Sequence, residues 1–192
     1  MAPRRKFTRD SIIDAAFEVA SAEGLEQITI RKVADQLGGS IAPIYVNFAD
    51  VQELKDAVIR KLQTIASEML AASYHPDPFL NIGIASIKFA RAYSILYKEL
   101  VMHNQAALGQ VQPDPAILLQ MMKQNPQLQP FTDEELMLIL FKMQVFQIGL
   151  SMMDLNGLLP PGFTEEQLIE MLRSTGQDVI LAARAGKLGG LE

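Results

Sequence analysis

Apolar residues recur three and four positions apart along most of the chain, a spacing that places side chains on one face of an α-helix. The longest such runs cover residues 8–23, 50–72, 133–155 and 165–185. We find no convincing segment with the strict apolar–polar alternation that indicates a β-strand. The pattern therefore predicts an all-α fold of about eight or nine helices.

Capping residues and prolines set the predicted ends of several helices. Thr132 and Thr164 each precede a Glu or Gln by three positions, which is the signature of a capping box at a helix start. The proline-containing segment 73–78 marks the clearest domain boundary. After it we predict one helix over residues 78–102, followed by a loop over residues 103–114.

Near its N-terminal end the chain has the pattern of two short helices joined by a tight turn. The first, over residues 30–37, buries one apolar face and is capped by Thr29. Gly38-Gly39 ends it, because glycine accepts the left-handed conformation just past a helix. The second covers residues 40–48, with Ser40 as its cap. This is the pattern of a helix-turn-helix, whose second helix enters the DNA major groove; an ordinary helical hairpin is the alternative.

Around this motif the chain resembles the TetR family of transcriptional regulators, over roughly residues 7–60. The residues that carry the resemblance are Arg9, Ile12, Ile13, Ala15, Ala16, Glu23, Gly24, Thr29 to Ala34, Gly38, Ser40, Ile44, Tyr45, Phe48, Glu53 and Leu54. Three positions depart from the family pattern: Gly39 replaces a valine under the turn, Val51 a phosphate-contacting lysine, and Val46 a polar or aromatic residue. The resemblance implies a three-helix DNA-binding domain, a homodimer and an effector pocket in the C-terminal half.

The residues expected to contact DNA lie in the N-terminal arm, at the starts of the two helices and on the outer side of the second: Arg4, Arg5, Lys6, Thr29, Ser40, Ile41, Pro43, Tyr45, Val46 and Asn47. Cations and hydroxyls would contact phosphates, apolar groups can touch thymine methyls, and Asn47 could pair with adenine. The net charge of −5 argues against nucleic-acid binding by itself. The basic arm can nevertheless follow the DNA backbone or the minor groove, or it can be a solvated tail.

A small-molecule pocket is predicted in the C-terminal half, where most of the ten methionines lie. Methionine is adaptable and lines permissive binding surfaces. The predicted ligand-binding residues are Phe89, Tyr93, Tyr97, Met121, Met122, Phe141, Gln144 and Gln147. The alternative is that the apolar residues are ordinary core and that the glutamines bond across a subunit seam.

Helices 133–155 and 165–185 carry surplus apolar surface, since the first is apolar nearly all round. We expect two helices from each of two subunits to pack as a four-helix bundle. The residues predicted for dimerisation are Met152, Leu155, Leu168, Leu172, Gly176, Val179, Ile180 and Ala183. A larger monomeric core is the competing account.

The composition gives little support for catalysis. The chain has no cysteine, and His75 and His103 are its only histidines. It contains no HExxH, GxSxG or glycine-rich phosphate loop, and its acidic pairs at helix starts are explained by capping. We therefore predict no enzyme activity, no metal site and no cofactor. No apolar signal segment follows the basic N-terminus, and polar residues interrupt the most apolar stretch, so we expect a cytoplasmic protein without a membrane span.

We expect three parts: a DNA-binding domain in residues 1–49, a connecting helix in 50–72, and a ligand-binding and dimerisation domain in 73–192. The predicted function is a dimeric DNA-binding transcriptional regulator, a repressor released from its double-stranded operator by a small apolar or amphipathic molecule. One alternative retains DNA binding but gives the C-terminal domain a protein partner or only a dimerisation role. Another is a helical ligand-binding or scaffold protein that no longer reads DNA.

Overall fold

The computed structural model describes residues 7–186, and within that range the chain folds into ten α-helices and one 3₁₀ turn, without a strand. The all-α prediction is therefore confirmed. The helices are α1 (Arg9–Glu23), α2 (Ile30–Leu37), α3 (Ala42–Asn47), α4 (Val51–Ala71), α5 (Pro78–Ala92), α6 (Ser94–Met102), α7 (Gln105–Val111), α8 (Pro115–Met122), α9 (Asp133–Leu155) and α10 (Glu165–Arg184), with the 3₁₀ turn at Leu25–Gln27 after α1.

Two compact units make up the chain. The first contains the residues up to Ile65 together with Tyr93–Gln112, and the second contains Ala66–Ala92 and the residues from Pro113 onward. This grouping differs from the predicted division, because α6 and α7 pack with the N-terminal helices rather than with the C-terminal part. The long helix α4 begins in the first unit and ends in the second.

The first unit is built on α1, which packs against α2, α3 and α6. Thr8 caps α1 by accepting a hydrogen bond from the Ser11 amide at 3.2 Å. Buried Ile12 and Ala16 lie on its inner face, four positions apart. The helix ends at Gly24, whose φ of 104° is a conformation that side chains disfavour.

A carboxylate of α6 holds the turn after α1. Glu99 accepts hydrogen bonds from the amides of Leu25, at 2.6 Å, and Glu26, at 3.2 Å. A Cβ at Gly24 would lie 2.7 Å from a Glu99 oxygen, so glycine is required there for space as well as for conformation. Because Glu99 is 73 residues or more away in sequence, no local pattern indicates this contact.

The second unit is built on α5, α9 and α10, and both predicted capping boxes are present. Thr132 opens α9 with reciprocal bonds to Glu135, and Thr164 opens α10 with reciprocal bonds to Gln167. An ionic network joins the three helices. Arg91 of α5 donates to both carboxylate oxygens of Asp154 in α9, at 2.6 and 3.1 Å, and to Glu165 of α10 at 2.9 Å. Lys88 of α5 also donates to Glu165, at 3.0 Å.

The segment after the boundary differs from the prediction. The single helix predicted over 78–102 is divided into α5 and α6, because Tyr93 leaves the helical conformation with φ −124° and ψ 49°. The loop predicted over 103–114 contains α7, which Asn104 caps by accepting from the Ala107 amide at 3.1 Å. Both differences lie where short helices depend on packing rather than on periodicity.

Helix α9 is long and apolar enough to cross a membrane by length and composition alone. Part of it is buried inside the second unit, as expected for the core helix of a folded domain. Two of its polar side chains are bonded to each other, since buried Gln147 donates to Ser151 Oγ at 3.0 Å. Packing within the unit therefore accounts for the buried side of α9, whereas Met137, Phe141 and Val145 are exposed.

Candidate nucleic-acid interface

The turn between α2 and α3 has the geometry predicted for a helix-turn-helix. Gly38 takes the left-handed conformation with φ 64° and ψ 36°, and the Gly39 amide donates to the Ala34 carbonyl at 3.0 Å. The next helix is shorter than the predicted 40–48 and covers Ala42–Asn47. Ser40 does not cap it. The capping position is Ile41, whose hydrocarbon side chain has no oxygen to accept a cap bond, and Pro43 is the second helical residue.

Helix α3 has one buried and one exposed side. Ile44 and Phe48 are 0% and 2% exposed and anchor it to the first unit. On the outer side Ile41, Tyr45 and Val46 are 48%, 56% and 84% exposed. Solvent-exposed large apolar residues clustered on so short a helix indicate a binding surface rather than a packing face. Tyr45 adds a hydroxyl to a surface that is otherwise apolar.

Asn47 is engaged within its own helix. Its side-chain Nδ2 donates to the Pro43 carbonyl at 2.8 Å, and its backbone carbonyl accepts from the Arg9 guanidinium. The Asn47 amide nitrogen carries two protons, so the bond to Pro43 leaves one that can still be donated to adenine. In the structure the two bonds of Asn47 hold the end of α3.

Two expected phosphate contacts lie at the edges of the same motif. The Thr29 Oγ1 accepts from the Lys32 amide at 3.2 Å and caps α2, so the hydroxyl proton is still available to a phosphate. Ser40 is exposed in the turn and Pro43 is half-buried. Arg4, Arg5 and Lys6 lie outside the described residues.

Arg9 connects the start of α1 to the end of α3 and the start of α4. Its guanidinium donates to the Asn47 carbonyl and to Glu53 Oε1, the latter at 2.8 Å, and lies 4.1 Å from the centre of the Phe48 ring. Glu53 also accepts from the Ala49 amide at 2.8 Å. The Ala49 hydrogen bond, followed by the Arg9 hydrogen bond, lowers the pKa of Glu53. One planar cation thus joins three segments around the recognition helix.

Other cations of the first unit are paired with carboxylates. Three lysines form such pairs: Lys32 with Glu23 at 2.6 Å, Lys55 with Glu26 at 2.7 Å, and Lys61 with Asp14. Each pair is partly exposed and adds little stability. Their effect is to neutralise charge near the helix-turn-helix, so that positive charge for phosphate contact must come from elsewhere. Arg31, on the exposed side of α2, is one described source.

The predicted ligand residues are divided between the two units. Tyr93 and Tyr97 belong to the first unit, where the Tyr93 ring meets Phe17 of α1 edge-on at 5.6 Å. In the second unit Met122 is fully buried and Met121 packs against the same core cluster. The remaining second-unit residues are buried Phe89 and Gln147, half-buried Gln144, and Phe141, which is 49% exposed. For Met122 and Phe89, ordinary core packing accounts for the apolar pattern.

The predicted dimerisation residues are mostly core. Leu168, Leu172, Gly176, Ile180 and Ala183 are buried within the second unit, Val179 packs against its core, and Met152 and Leu155 are half-buried. Periodicity identified the apolar side of α10 correctly, but it could not show that α5 and α9 cover that side. The buried members of the predicted set are therefore not exposed to a second subunit.

Comparison with known proteins identifies the class. The architecture, a helix-turn-helix followed by a helical C-terminal part, is that of a DNA-binding regulator. Residues 12–58 match the family model described as bacterial regulatory proteins, TetR family. The chain is also 34% identical, over 61 residues, to the HTH-type transcriptional repressor DrrR1 of Streptomyces coeruleorubidus. That match covers 32% of this chain and 23% of the relative. The predicted resemblance to the TetR family is confirmed, and in sequence it rests on the N-terminal part of the chain, residues 12–58.

Solved structures extend the likeness of the fold to the whole chain. A TetR-family transcriptional regulator from Streptomyces coelicolor has a TM-score of 0.66 and 13% identity, covering 93% of this chain and 85% of its own. The fatty acid degradation regulator FadR from Bacillus halodurans has a TM-score of 0.60 and 16% identity, covering 98% and 99%. At these identities the comparison shows the fold alone.

Three sets of contacts in this unit were not predicted from the sequence. The Phe7 ring lies 2.7 Å from where a Cβ on Gly39 would be, Arg9 binds Asn47 and Glu53, and Glu99 holds the turn after α1. Arg9 and Glu53 were selected as residues that match the family, without these contacts. Phe7 lies outside any helical pattern, so periodicity did not select it. The sequence signal that could have indicated Phe7 is Gly39. A glycine at a position where the family has a larger residue leaves space for a side chain from elsewhere in the chain.

Proposed function

We propose that this protein is a dimeric transcriptional repressor that reads double-stranded operator DNA with α3 and is released by a small apolar or amphipathic molecule. The observation that carries the proposal is the outer side of α3, where Val46 is 84% exposed beside Ile41 and Tyr45. Apolar side chains in the major groove recognise thymine methyl groups. The tyrosine hydroxyl would bind a phosphate, together with the hydroxyls of Thr29 and Ser40.

Binding to DNA across a salt series tests the first part of this proposal. The purified protein is titrated with DNA flanking its own gene and with a scrambled duplex of the same length. A repressor gives preference for one fragment and a log affinity that falls linearly with log salt. Tyr45→Phe should weaken binding to all sequences alike, since a phosphate contact carries no base preference. Equal weak binding to both duplexes would contradict the proposal and favour a scaffold protein that no longer reads DNA.

The proposed dimer surface is the exposed stripe of α9. Met137, Phe141 and Val145 follow one another at four-residue spacing and are 40%, 49% and 58% exposed. The next position on the same line is Gly149, where an added Cβ would meet nothing within 4 Å. A row of apolar side chains that ends in an open glycine suits close approach of the same helix from a second copy, in an isologous contact. We therefore assign Phe141 to the dimer surface rather than to the ligand.

Sedimentation of a charged variant tests the dimer surface. Phe141→Glu is expected to yield a monomer, because an unpaired carboxylate would be buried at the seam. Ile117→Glu, on α8 and similarly exposed at 51%, is the matched control that leaves the dimer intact. A Phe141→Glu variant that remains dimeric would contradict the assignment of Phe141 to the dimer surface.

The effector is proposed to bind the methionine-containing part of the second unit. Met122 lies in the core cluster that includes Leu118, Leu128 and Leu136, and partly buried Met121 packs against that cluster. Methionine side chains can rearrange to admit an apolar molecule. Gln144, half-buried on α9, would supply a polar contact that orients it. The ligand can shift DNA binding by no more than its preference for one protein state over the other.

A further inference from the structure

The outward side of the recognition helix presents aliphatic groups and one hydroxyl. Ile41 and Tyr45 form one row along α3, four positions apart. Ala42 and Val46 form the next row, with the same spacing, and all four side chains are exposed. Val46, at 84%, is the most exposed of the large apolar side chains that the structure describes. Core packing therefore does not account for an aliphatic side chain at this position.

Helix α3 has few groups that can distinguish base edges by hydrogen bonding. Such discrimination uses side chains that make two bonds to one base, chiefly arginine, asparagine and glutamine. The six residues of α3, all of them described, include one such side chain, that of Asn47. It is half-buried, and its amide nitrogen already donates to the Pro43 carbonyl at 2.8 Å. The Tyr45 hydroxyl can donate or accept, so it suits either kind of base edge.

The neighbouring polar groups suit phosphates rather than bases. The hydroxyls of Thr29 and Ser40 lie at the two helix starts of the motif and are proposed to bind phosphates. Lys32, in the first turn of α2, is paired with Glu23 at 2.6 Å. Phosphate contacts position a protein on the duplex but carry no sequence information. The sequence preference of α3 must therefore depend largely on its exposed aliphatic groups.

The C5 methyl group of a pyrimidine is the feature of the major groove that aliphatic side chains contact. Thymine carries this methyl group, whereas uracil and cytosine do not. 5-Methylcytosine carries it at the same ring position, and it therefore presents the same apolar group at the same edge of the groove. The neighbouring group differs, since it is the O4 acceptor in thymine and the N4 donor in cytosine. An aliphatic side chain cannot distinguish these two by hydrogen bonding.

We propose that α3 selects its site by the C5 methyl groups of pyrimidines rather than by the identity of the base pair, with Val46 as the residue that contacts the methyl group. A 5-methylcytosine can then take the place of an operator thymine. Methylation of a cytosine at that position creates a binding site that the unmodified sequence lacks. The proposal rests on the proposed DNA-binding function and deepens it, because it names the chemical group that is recognised.

The test compares four pyrimidines at one position of a duplex. The probe is a duplex that the wild-type full chain selects from a random library, and substitution of uracil for each thymine identifies the methyl groups that matter. At those positions affinity is measured for thymine and uracil paired with adenine, and for 5-methylcytosine and cytosine paired with guanine. The two methylated bases should bind within about twofold of each other, and the two unmethylated bases about four to ten times more weakly.

Protein variants separate a contact with the methyl group from an effect of methylation on DNA shape. Val46→Ala should reduce the methyl effect to less than about twofold in both base pairs, because the contacting group is gone. The high exposure of Val46 means that this change leaves the core intact. Ile95→Ala, on α6 and 40% exposed, is the matched control that retains the full methyl effect.

Three results would overturn the proposal while leaving DNA binding intact. 5-Methylcytosine that binds as weakly as cytosine would show that the A·T pair itself is read, for which Asn47 retains a donor proton. A methyl effect of unchanged size in Val46→Ala would indicate a response to DNA shape. A selected duplex in which no thymine methyl matters would also exclude it. A wild-type protein that selects no duplex would instead contradict the proposed function, so the two failures are distinguishable.

Discussion

The recognition helix α3 and the core helix α9 differ in what holds them in place. Helix α9 has 23 residues, a capping box of its own and a buried side that extends from Leu136 to Ser151. Helix α3 has six residues and no side-chain cap, and depends on Arg9, Glu53 and Phe7 from outside it. Isolated helices shorter than about 12 residues are marginal in water. A short reading helix exposes most of its side chains, and its position is set by other parts of the first unit.

The largest expected effect comes from removing the anchor of α3. Phe48→Ala empties a site that is 2% exposed, and a buried Phe→Ala change costs about 3–5 kcal/mol. It also removes the surface on which Arg9 stacks, so we expect DNA binding to be lost. Leu136→Ala, fully buried in the second unit, should destabilise by about 2–5 kcal/mol and leave the affinity of the folded protein unchanged. Calorimetry and DNA titration separate the two, and equal losses of affinity would contradict the comparison.

A smaller effect is expected at Arg9. Arg9→Lys keeps the charge but loses the planar group that contacts Asn47, Glu53 and Phe48 together. We expect DNA affinity to fall about tenfold, with a shift in thermal midpoint of only a few degrees. Lys55→Met, which removes the cation of another surface pair, is the control with little effect on either. Full affinity in Arg9→Lys would show that charge alone suffices.

Removing the cap of α9 sharpens the comparison from the other side. Thr132→Ala deletes the hydroxyl that accepts from the Glu135 amide and should lower stability by about 1 kcal/mol. Thermal unfolding should show the loss, whereas DNA titration at low temperature should not. A drop in DNA affinity would mean that the start of α9 is linked to the reading helix, contrary to our account.

The smallest effect concerns pH and the ionic network of the second unit. The Lys88 hydrogen bond, with further help from Arg91, lowers the pKa of Glu165 below its ordinary value of 4.5. Stability from this carboxylate is therefore present above about pH 4.5 and is lost as pH falls through the lowered pKa. Since the group is partly exposed, we expect Glu165→Gln to cost less than about 1 kcal/mol near pH 7.

Thermal midpoints from pH 7 to 3 measure the pH effect. The gap between wild type and Glu165→Gln should close at low pH. Glu170→Gln, which alters an exposed pair within α10, is the control with no such closing gap. A constant gap across this range would show that ionisation of Glu165 does not carry the contribution.

Local signals predicted the parts of the fold that have local causes. The caps at Thr29, Thr132 and Thr164 and the left-handed Gly38 are encoded within a few residues, and the structure has all four. The break at Tyr93 and the helix α7 have no such signal, because both depend on packing within the first unit.

Only the part of the candidate site that has a local cause could be predicted from the sequence. The exposed side of α3 followed from the spacing of Ile44 and Phe48. The contacts of Phe7 and Arg9 join positions 32 to 44 residues apart, and those of Glu99 join positions more than 70 apart. Likewise, periodicity marks an apolar side of α10 but does not identify what covers it. Long-range packing decided the roles that the sequence left open.

The most direct test of the central claim, that the exposed apolar side of α3 reads DNA, exchanges thymine for uracil in the selected duplex. Uracil lacks only the C5 methyl group, so the exchange removes the group that Val46 is proposed to contact. We expect the wild type to lose about tenfold in affinity at one or two thymines in each half-site, and Val46→Ala to lose little on the same exchange. Equal losses in both proteins, or no loss at any thymine, would contradict the account.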